Sequence, residues 1–192
     1  MIPAHTTGPD ATVLPYGRPD APHVLAVFAD LRCPSCKRME NGLGTVMERA
    51  ADAGTVRLEY HFGTFLDAAV GGTGSLRALA ALGAAADAGP ACFIRYLHQL
   101  YASQPPESDD AFAAPEHLLH LAADVADLRS AAFDAAVRDG SYVPWARTVS
   151  AAFDASGVTS TPTVLLDGRP LAVLSPEGYP VTPETFLAEL EA

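Results

Sequence analysis

The stretch His23–Glu40, H-V-L-A-V-F-A-D-L-R-C-P-S-C-K-R-M-E, holds the opening unit of the fold. His23–Ala29 is a short, nearly continuous apolar run, the pattern of a strand buried on both faces. After Asp30 the chain turns at Leu31 and Arg32 and meets Cys33-Pro34-Ser35-Cys36. Pro34 suits the first helical position, where its missing N–H costs nothing. Met39, Leu43, Val46, Met47 and Ala50 then recur at helical spacing, and Gly54 closes the helix, with Gly42 and Gly44 as weak points open to a bend. Val56–Phe62 alternates with period two and predicts a second strand. Strand, helix, strand is the start of an α/β unit.

Outward from this unit, residues 1–22 are rich in Pro, Gly and Thr and read as an extended lead-in, with a short strand near Ala11–Leu14. From Asp67 to Gly157 the chain carries Ala-rich amphipathic stretches and no clear strand. The spacing predicts helices near 74–88, 91–102, 115–126, 130–138 and 144–156. Pro90, Pro115 and Pro144 stand at starts, and Gly140 and Gly157 at ends. Trp145, Val149 and Phe153 form a stripe expected to face the core, and Gln104–Ala114 reads as a loop. Strand character returns at Thr163–Leu166, Asp167-Gly168 makes a hairpin turn, and Leu171–Leu174 is its expected second arm. Thr182 and Pro183 then open a last helix with Phe186, Leu187 and Leu190 on its inner face. The expected organisation is an α/β core from 10–66 and 158–192, an all-helical insertion at 67–157, and a lead-in at 1–9.

Composition removes several classes of function. The 192 residues are 49% hydrophobic, ample for a core, and no window of 18 apolar residues could span a membrane. Twelve basic against 23 acidic residues leave a net charge of -11, which repels phosphate backbones and anionic lipid heads. No nucleic-acid or membrane-surface partner is expected. Three cysteines cannot build a disulfide scaffold. Met1–Gly17 contains neither a basic n-region nor an apolar h-region. A cytoplasmic protein is expected if Met1 is the native start, and an extracytoplasmic one if a signal or anchor has been trimmed.

The residues that carry chemistry are Cys33 and Cys36. Cys33 falls at the N-cap of the helix and Cys36 three residues on, so the two sulfurs share a face and can approach bonding distance. Unpaired N–H groups and the positive end of the helix dipole point at the Cys33 sulfur and favour its thiolate, the attacking species. Arg32, Lys37 and Arg38 add positive charge, and Lys37 is the only lysine of the chain. Far along the sequence, Ser160-Thr161-Pro162-Thr163 precedes the apolar strand. A cis Thr161–Pro162 bond is expected there, turning Thr161 towards the sulfurs.

Taken together, a buried strand, C-P-x-C opening a helix, a helical insertion and T-P-T before a hairpin resemble the DsbA-like branch of the thioredoxin superfamily. The likeness covers about residues 10–192. It is greatest to actinobacterial forms with a C-P-S-C motif, in the segments Phe28–Glu40 and Glu59–Asp67. It implies a thioredoxin-like α/β fold with an all-helical insertion. It also implies a thiol–disulfide oxidoreductase with Cys33 attacking, Cys36 resolving and Pro162 as the cis-proline. Thr161 would offer its backbone to an extended substrate. Pro34, Ser35, Arg32 and Lys37 would support the motif and its electrostatics. Two positions depart from the family pattern. Many members hold a buried Glu six residues before the first cysteine, where this chain has Val27. Asp30 and Glu59 are the nearest candidates for that acid. Strong oxidants hold His where this chain has Ser35.

Other readings of these residues carry less. A structural zinc needs four ligands, and no second C-x-x-C or suitably spaced His pair accompanies Cys33 and Cys36, so neither metal nor cofactor is expected. Cys92 reads as a small buried hydrophobe, and His117 and His120 as a solvated helix face. Gly71-Gly72-Thr73-Gly74 lacks the Lys of a phosphate loop and reads as a linker. The expected partners are protein thiol and disulfide substrates and a redox-recycling protein, with the chain itself a monomer. The oxidase direction is favoured. A cytoplasmic reductase and a non-catalytic peptide-binding or chaperone-like module on the same fold are the alternatives.

Overall fold

The computed structural model describes residues 1–190, so the last two residues of the 158–192 segment lie outside the described residues. Its sheet has five strands: β1 (Leu14–Tyr16), β2 (His23–Ala29), β3 (Val56–Phe62), β4 (Thr163–Leu166) and β5 (Arg169–Pro170), in the order β1-β3-β2-β4-β5. Only β2 and β3 pair parallel, because a crossover helix, α1 (Pro34–Asp52), joins them; the other pairs are antiparallel. Alternation sorts the β3 side chains: Val56, Leu58, Tyr60 and Phe62 are fully buried, while Arg57, Glu59 and His61 point to the other face. β2 lies between β3 and β4, and Leu25, Val27 and Ala29 are inaccessible, as its apolar run requires.

Helix α1 runs unbroken through Gly42 and Gly44. It buries Cys36, Met39, Leu43, Met47 and Ala50 and ends where Gly54 takes φ +78°, a conformation that costs glycine little. The helical insertion comprises α2 (Phe65–Val70), α3 (Gly74–Ala88), α4 (Pro90–Ala102), α5 (Pro115–Ala122), α6 (Ala131–Asp139) and α7 (Val143–Ala155). Helix α8 (Pro183–Leu190) closes the described chain, with the Thr182 hydroxyl accepting from the Thr185 amide at 3.2 Å. A thioredoxin-like sheet carrying a large helical region is the architecture that the element pattern predicts.

The differences lie where local geometry overrides propensity. The first strand begins at Leu14, not Ala11, because Asp10 and Ala11 have positive φ in a tight turn. Helix α2 fills part of the expected linker, and the fifth helix stops at Ala122 rather than 126. The second hairpin arm is Arg169–Pro170, and Leu174 makes only an isolated bridge to Pro180. Leu187 is 41% exposed while Phe186 and Leu190 are buried, since eight residues of helix present only a narrow stripe to the core.

The Trp145, Val149 and Phe153 stripe is buried, and the indole N–H donates to the Ala11 carbonyl at 2.8 Å. Across from it lies Gly83 of α3, where a Cβ would stand 2.5 Å from the Trp145 ring. Overpacking of that kind costs about 1–3 kcal/mol, while replacing a helical Gly by Ala returns up to about 1 kcal/mol. The clash wins. Gly83→Ala is therefore expected to lower Tm by roughly 2–6 °C at this chain length. The measurement is thermal denaturation followed through Trp145, the only tryptophan. An unchanged or raised Tm would show that this helix crossing is looser than described.

Candidate active site

The site lies where β2 gives way to α1. Between Ala29 and Pro34 the chain turns around the buried carboxylate of Asp30. Its Oδ1 accepts from the Arg32 amide at 2.9 Å and the Ser75 hydroxyl at 2.6 Å, and Oδ2 from the Leu66 amide at 3.2 Å. The Asp30 carbonyl accepts from the Cys33 amide at 3.0 Å and from the Tyr101 hydroxyl at 3.2 Å. Burial pushes the Asp30 carboxyl up to about 6, against these hydrogen bonds, which pull it down.

Cys33 is the N-cap of α1, Pro34 follows at the first position, and the Cys36 amide points at the Cys33 sulfur from 3.5 Å. The Cys33 thiol donates to the Thr161 carbonyl at 3.6 Å, across a cis Thr161–Pro162 bond. Chain ends 128 residues apart thus meet at one sulfur. The Thr161 hydroxyl is buried beside them without a hydrogen-bond partner.

Both cysteines are free thiols, and their surroundings differ. Cys33 is 8% exposed and Cys36 fully buried. Hydrogen bonding from Cys36 brings Cys33 down to about 6 against the penalty of burial, helped by Thr161 and the amides of Cys36 and Ser35. Burial drives Cys36 well above the usual thiol value, with the neighbouring Cys33 sulfur adding to the rise. One sulfur is a ready thiolate near neutral pH and the other is held as a thiol.

The expected electrostatic support has a different form. Arg32 is 2% exposed and turns away from the sulfurs, its Nη1 meeting Asp67 at 3.0 Å and Asp110 at 3.2 Å. Its other bonds run to the carbonyls of Gly71 and Glu107. Lys37 donates to the Gln104 carbonyl at 2.8 Å. A buried cation must be paired, so Arg32 is drawn to the carboxylates of the insertion, and the half-buried Lys37 adds a second tie to it through a carbonyl. The leading causes of the Cys33 shift are hydrogen bonds. The Ser35 hydroxyl accepts from Arg38, which also grips the Gly178 carbonyl.

Of the two acids named for the role vacant at Val27, Glu59 is partly exposed on β3, 3.3 Å from Arg57, and points away from the buried face. Asp30 is at the turn, but its carboxylate is already committed to three donors. Cys92 packs half-buried against the core from the first turn of α4. His117 packs near Phe112 with its Nε2 buried, rather than on a solvated face.

Two side chains escape a linear reading. Gln104, in the segment read as a loop, is buried and donates to the carbonyls of Leu31 and Cys33 at 2.8 and 3.2 Å. Glu40 is buried on the same face of α1 as Cys36, one turn on, and neither carboxyl oxygen has a hydrogen-bond partner. The available signal was an acid lodged between apolar Met39 and Leu43, four residues after Cys36.

A family model described as thioredoxin matches residues 10–191. No curated protein matches the chain. Among solved structures, MdbA, a thiol-disulfide oxidoreductase from Actinomyces oris, is 25% identical with a TM-score of 0.77, covering 98% of this chain and 88% of that one. Oxidised DsbA of Mycobacterium tuberculosis is 24% identical with a TM-score of 0.75, covering 93% and 91%. Oxidised BdbD of Bacillus subtilis is 19% identical at the same TM-score and matches over the whole of both chains. With that family match over nearly its full length and a C-x-x-C pair at the head of α1, the chain belongs to the thioredoxin family.

Proposed function

We propose that this oxidoreductase forms disulfides in protein substrates, with Cys33 as the exchanging sulfur and Cys36 as its buried partner. The inequality of the two thiols carries the reading. A Cys33 held near 6 leaves easily from a mixed disulfide, and stabilising the reduced form makes the disulfide a stronger oxidant. The similarity to MdbA, described as a thiol-disulfide oxidoreductase, supports the chemistry. Substrate thiolate attacks Cys33 of the oxidised pair, and Cys36 departs. A second substrate thiol then displaces Cys33 and completes the substrate disulfide. Should that thiol be missing, Cys36 attacks the mixed disulfide and frees the substrate.

Thr161 and Pro162 flank Cys33 and are the proposed seat of an extended substrate chain, paired through the Thr161 backbone as an added strand. Pro34 and Ser35 shape the helix start, and Arg32 and Lys37 hold it in place through Asp67, Asp110 and Gln104. The protein works as a monomer and is returned to the disulfide form by a separate recycling partner. Among the described residues no helix is long and apolar enough to cross a membrane.

Cys33→Ser is expected to abolish exchange with a dithiol peptide. Cys36→Ser, offered the same peptide in its disulfide form, is expected to accumulate a protein–peptide mixed disulfide, because Cys33 attacks the peptide disulfide and no resolving thiol follows; it is seen by mass spectrometry under non-reducing conditions. Trapping by Cys33→Ser and not by Cys36→Ser would reverse the two roles.

Thiolate absorbance of the reduced protein is expected to show one titration near 6, absent from Cys33→Ser, with Cys36 silent to well above the usual thiol range. Because the folded-state pKa lies below the unfolded one, the Cys33 contribution to stability is fully present above the unfolded value of about 9. It is lost as pH falls through about 6. The reduced wild type should therefore gain stability over Cys33→Ala as pH rises from about 6 to 9. The redox potential should fall between about -270 mV and about -120 mV, read by equilibration in glutathione buffers. A Cys33 that titrates like a free thiol would remove the oxidase reading.

A further inference from the structure

A buried carboxyl stands one helical turn beyond Cys36, near the Tyr60 hydroxyl and the His98 ring but hydrogen-bonded to neither. Glu40 is 4% exposed, and both its oxygens lack a hydrogen-bond partner. An uncompensated buried acid is costly, and such groups concentrate where chemistry uses them. Its Oε2 lies 4.0 Å from Nε2 of His98 on α4, and the other ring nitrogen, Nδ1, lies 3.6 Å from Oε2 of Glu48. The side chains of His98 and Glu48 are 21% and 23% exposed, so the row runs from the buried face of α1 to solvent. Gly44 keeps the row open. A Cβ there would come within 2.6 Å of the Glu40 oxygen and 3.1 Å of the His98 nitrogen.

We propose, resting on the exchange chemistry assigned above, that Glu40, His98 and Glu48 form a proton path serving the buried Cys36 thiol. In the oxidised enzyme a substrate thiolate attacks Cys33 Sγ. The substrate–Cys33 bond forms, the Cys33–Cys36 bond breaks, and its electron pair departs on Cys36 Sγ. That sulfur is fully buried, where a charge is strongly disfavoured. Glu40 gives it the carboxyl proton and becomes a carboxylate. His98 refills Glu40 by accepting on one nitrogen and releasing from the other, with Glu48 and solvent as the outer source. When Cys36 attacks a mixed disulfide instead, its proton leaves by the same path in reverse.

Three observations fit this direction of transfer. Cys36 and Glu40 are four apart and both buried on α1, where such residues are neighbours, about 5–6 Å between Cβ atoms, and the path requires the Glu40 carboxyl to turn from the His98 side towards Cys36. Burial pushes Glu40 up to about 8, so it carries a proton at neutral pH, and the Cys36 thiol lies higher still. Burial also lowers His98, keeping the ring neutral and able to pass a proton. The 3.6 and 4.0 Å separations close with modest side-chain movement, as resting catalytic contacts often do.

The groups nearest the carboxyl are Tyr60 from β3 and His98 from α4, with Glu48 of α1 on the far side of the imidazole. The Tyr60 hydroxyl draws the Glu40 value down in part, short of hydrogen-bond geometry. Tyr101 is wholly buried, and burial raises it first, with the charges of Cys36, Glu40, Asp30 and Cys33 adding to the rise. At the outer end burial and then Asp52 raise Glu48, while Arg95 and Arg49 lower it.

The test follows mixed-disulfide formation between the oxidised full-length protein and a single-cysteine peptide, by rapid quench and mass spectrometry across pH. After correction for the peptide's thiolate fraction, the wild-type rate is expected to fall through an inflection near 8. Glu40→Gln should lower the rate on the acid side about tenfold or more and erase the inflection. His98→Gln should slow the reaction in a non-transferring buffer and recover when imidazole is added. The Cys33 thiolate absorbance should stay unchanged in both variants. Wild-type rates and inflection in Glu40→Gln would overturn the path. If Glu40→Gln does not fold, a His98→Gln protein with wild-type rates and no response to imidazole would overturn it equally. A wild type that forms no mixed disulfide would overturn the exchange reading itself, and the path with it.

Discussion

Everything at the site depends on the turn from β2 into α1 around the buried carboxylate of Asp30. Four residues separate the strand from the helix, and their backbone groups are buried, so each must find a partner inside the protein. Asp30 satisfies the Arg32 and Leu66 amides with its carboxylate and the Cys33 amide with its carbonyl. Arg32 and Gln104 then bind this turn to the helical insertion from the other side. The insertion is therefore part of the scaffold that aims Cys33, as well as a wall beside it.

The same geometry separates two chemically identical side chains. At the N-cap, Cys33 receives the Cys36 thiol first, then Thr161 and amides that no helical carbonyl can use, and together these outweigh its burial. Three residues on, Cys36 faces the core, where burial outweighs the Asp30 amide and Thr161 contacts. A shift of one pKa unit represents about 1.4 kcal/mol between the two protonation states. Neighbouring positions on one helical turn are pushed in opposite directions, Cys33 towards the thiolate and Cys36 towards the thiol.

Charge near the site is spent on structure. In an acidic protein the cluster Arg32, Lys37 and Arg38 reads as support for a thiolate, and each group instead anchors backbone: Arg32 at Gly71, just past α2, and at Glu107 in the loop after α4, Lys37 at Gln104, Arg38 at Gly178. A cation buried beside carboxylates has its field largely cancelled, whereas an amide at 3.5 Å acts directly on the sulfur. The acid that the apolar Val27 cannot supply is replaced, in the proposed path, from the helix rather than from the strand.

The order of the elements, the buried strand at His23–Ala29, the helix opening at Pro34 and the Cys33–Cys36 pair are all legible in the sequence, because hydrophobic period, proline position and i, i+3 spacing are local properties. The Thr161–Pro162 turn was legible through its context, the T-P-T before an apolar run. Short elements were not: the Asp10–Ala11 turn and α2 are held by contacts with distant segments that propensity does not record, and the Arg169–Pro170 arm is too short, two residues paired with β4, to leave a pattern. The partners of Arg32, the burial of Gln104 and the meeting of Glu40 with His98 were decided only by tertiary structure. Each pairs residues from separate elements, and the desolvation that gives them their chemistry arises only when those elements pack.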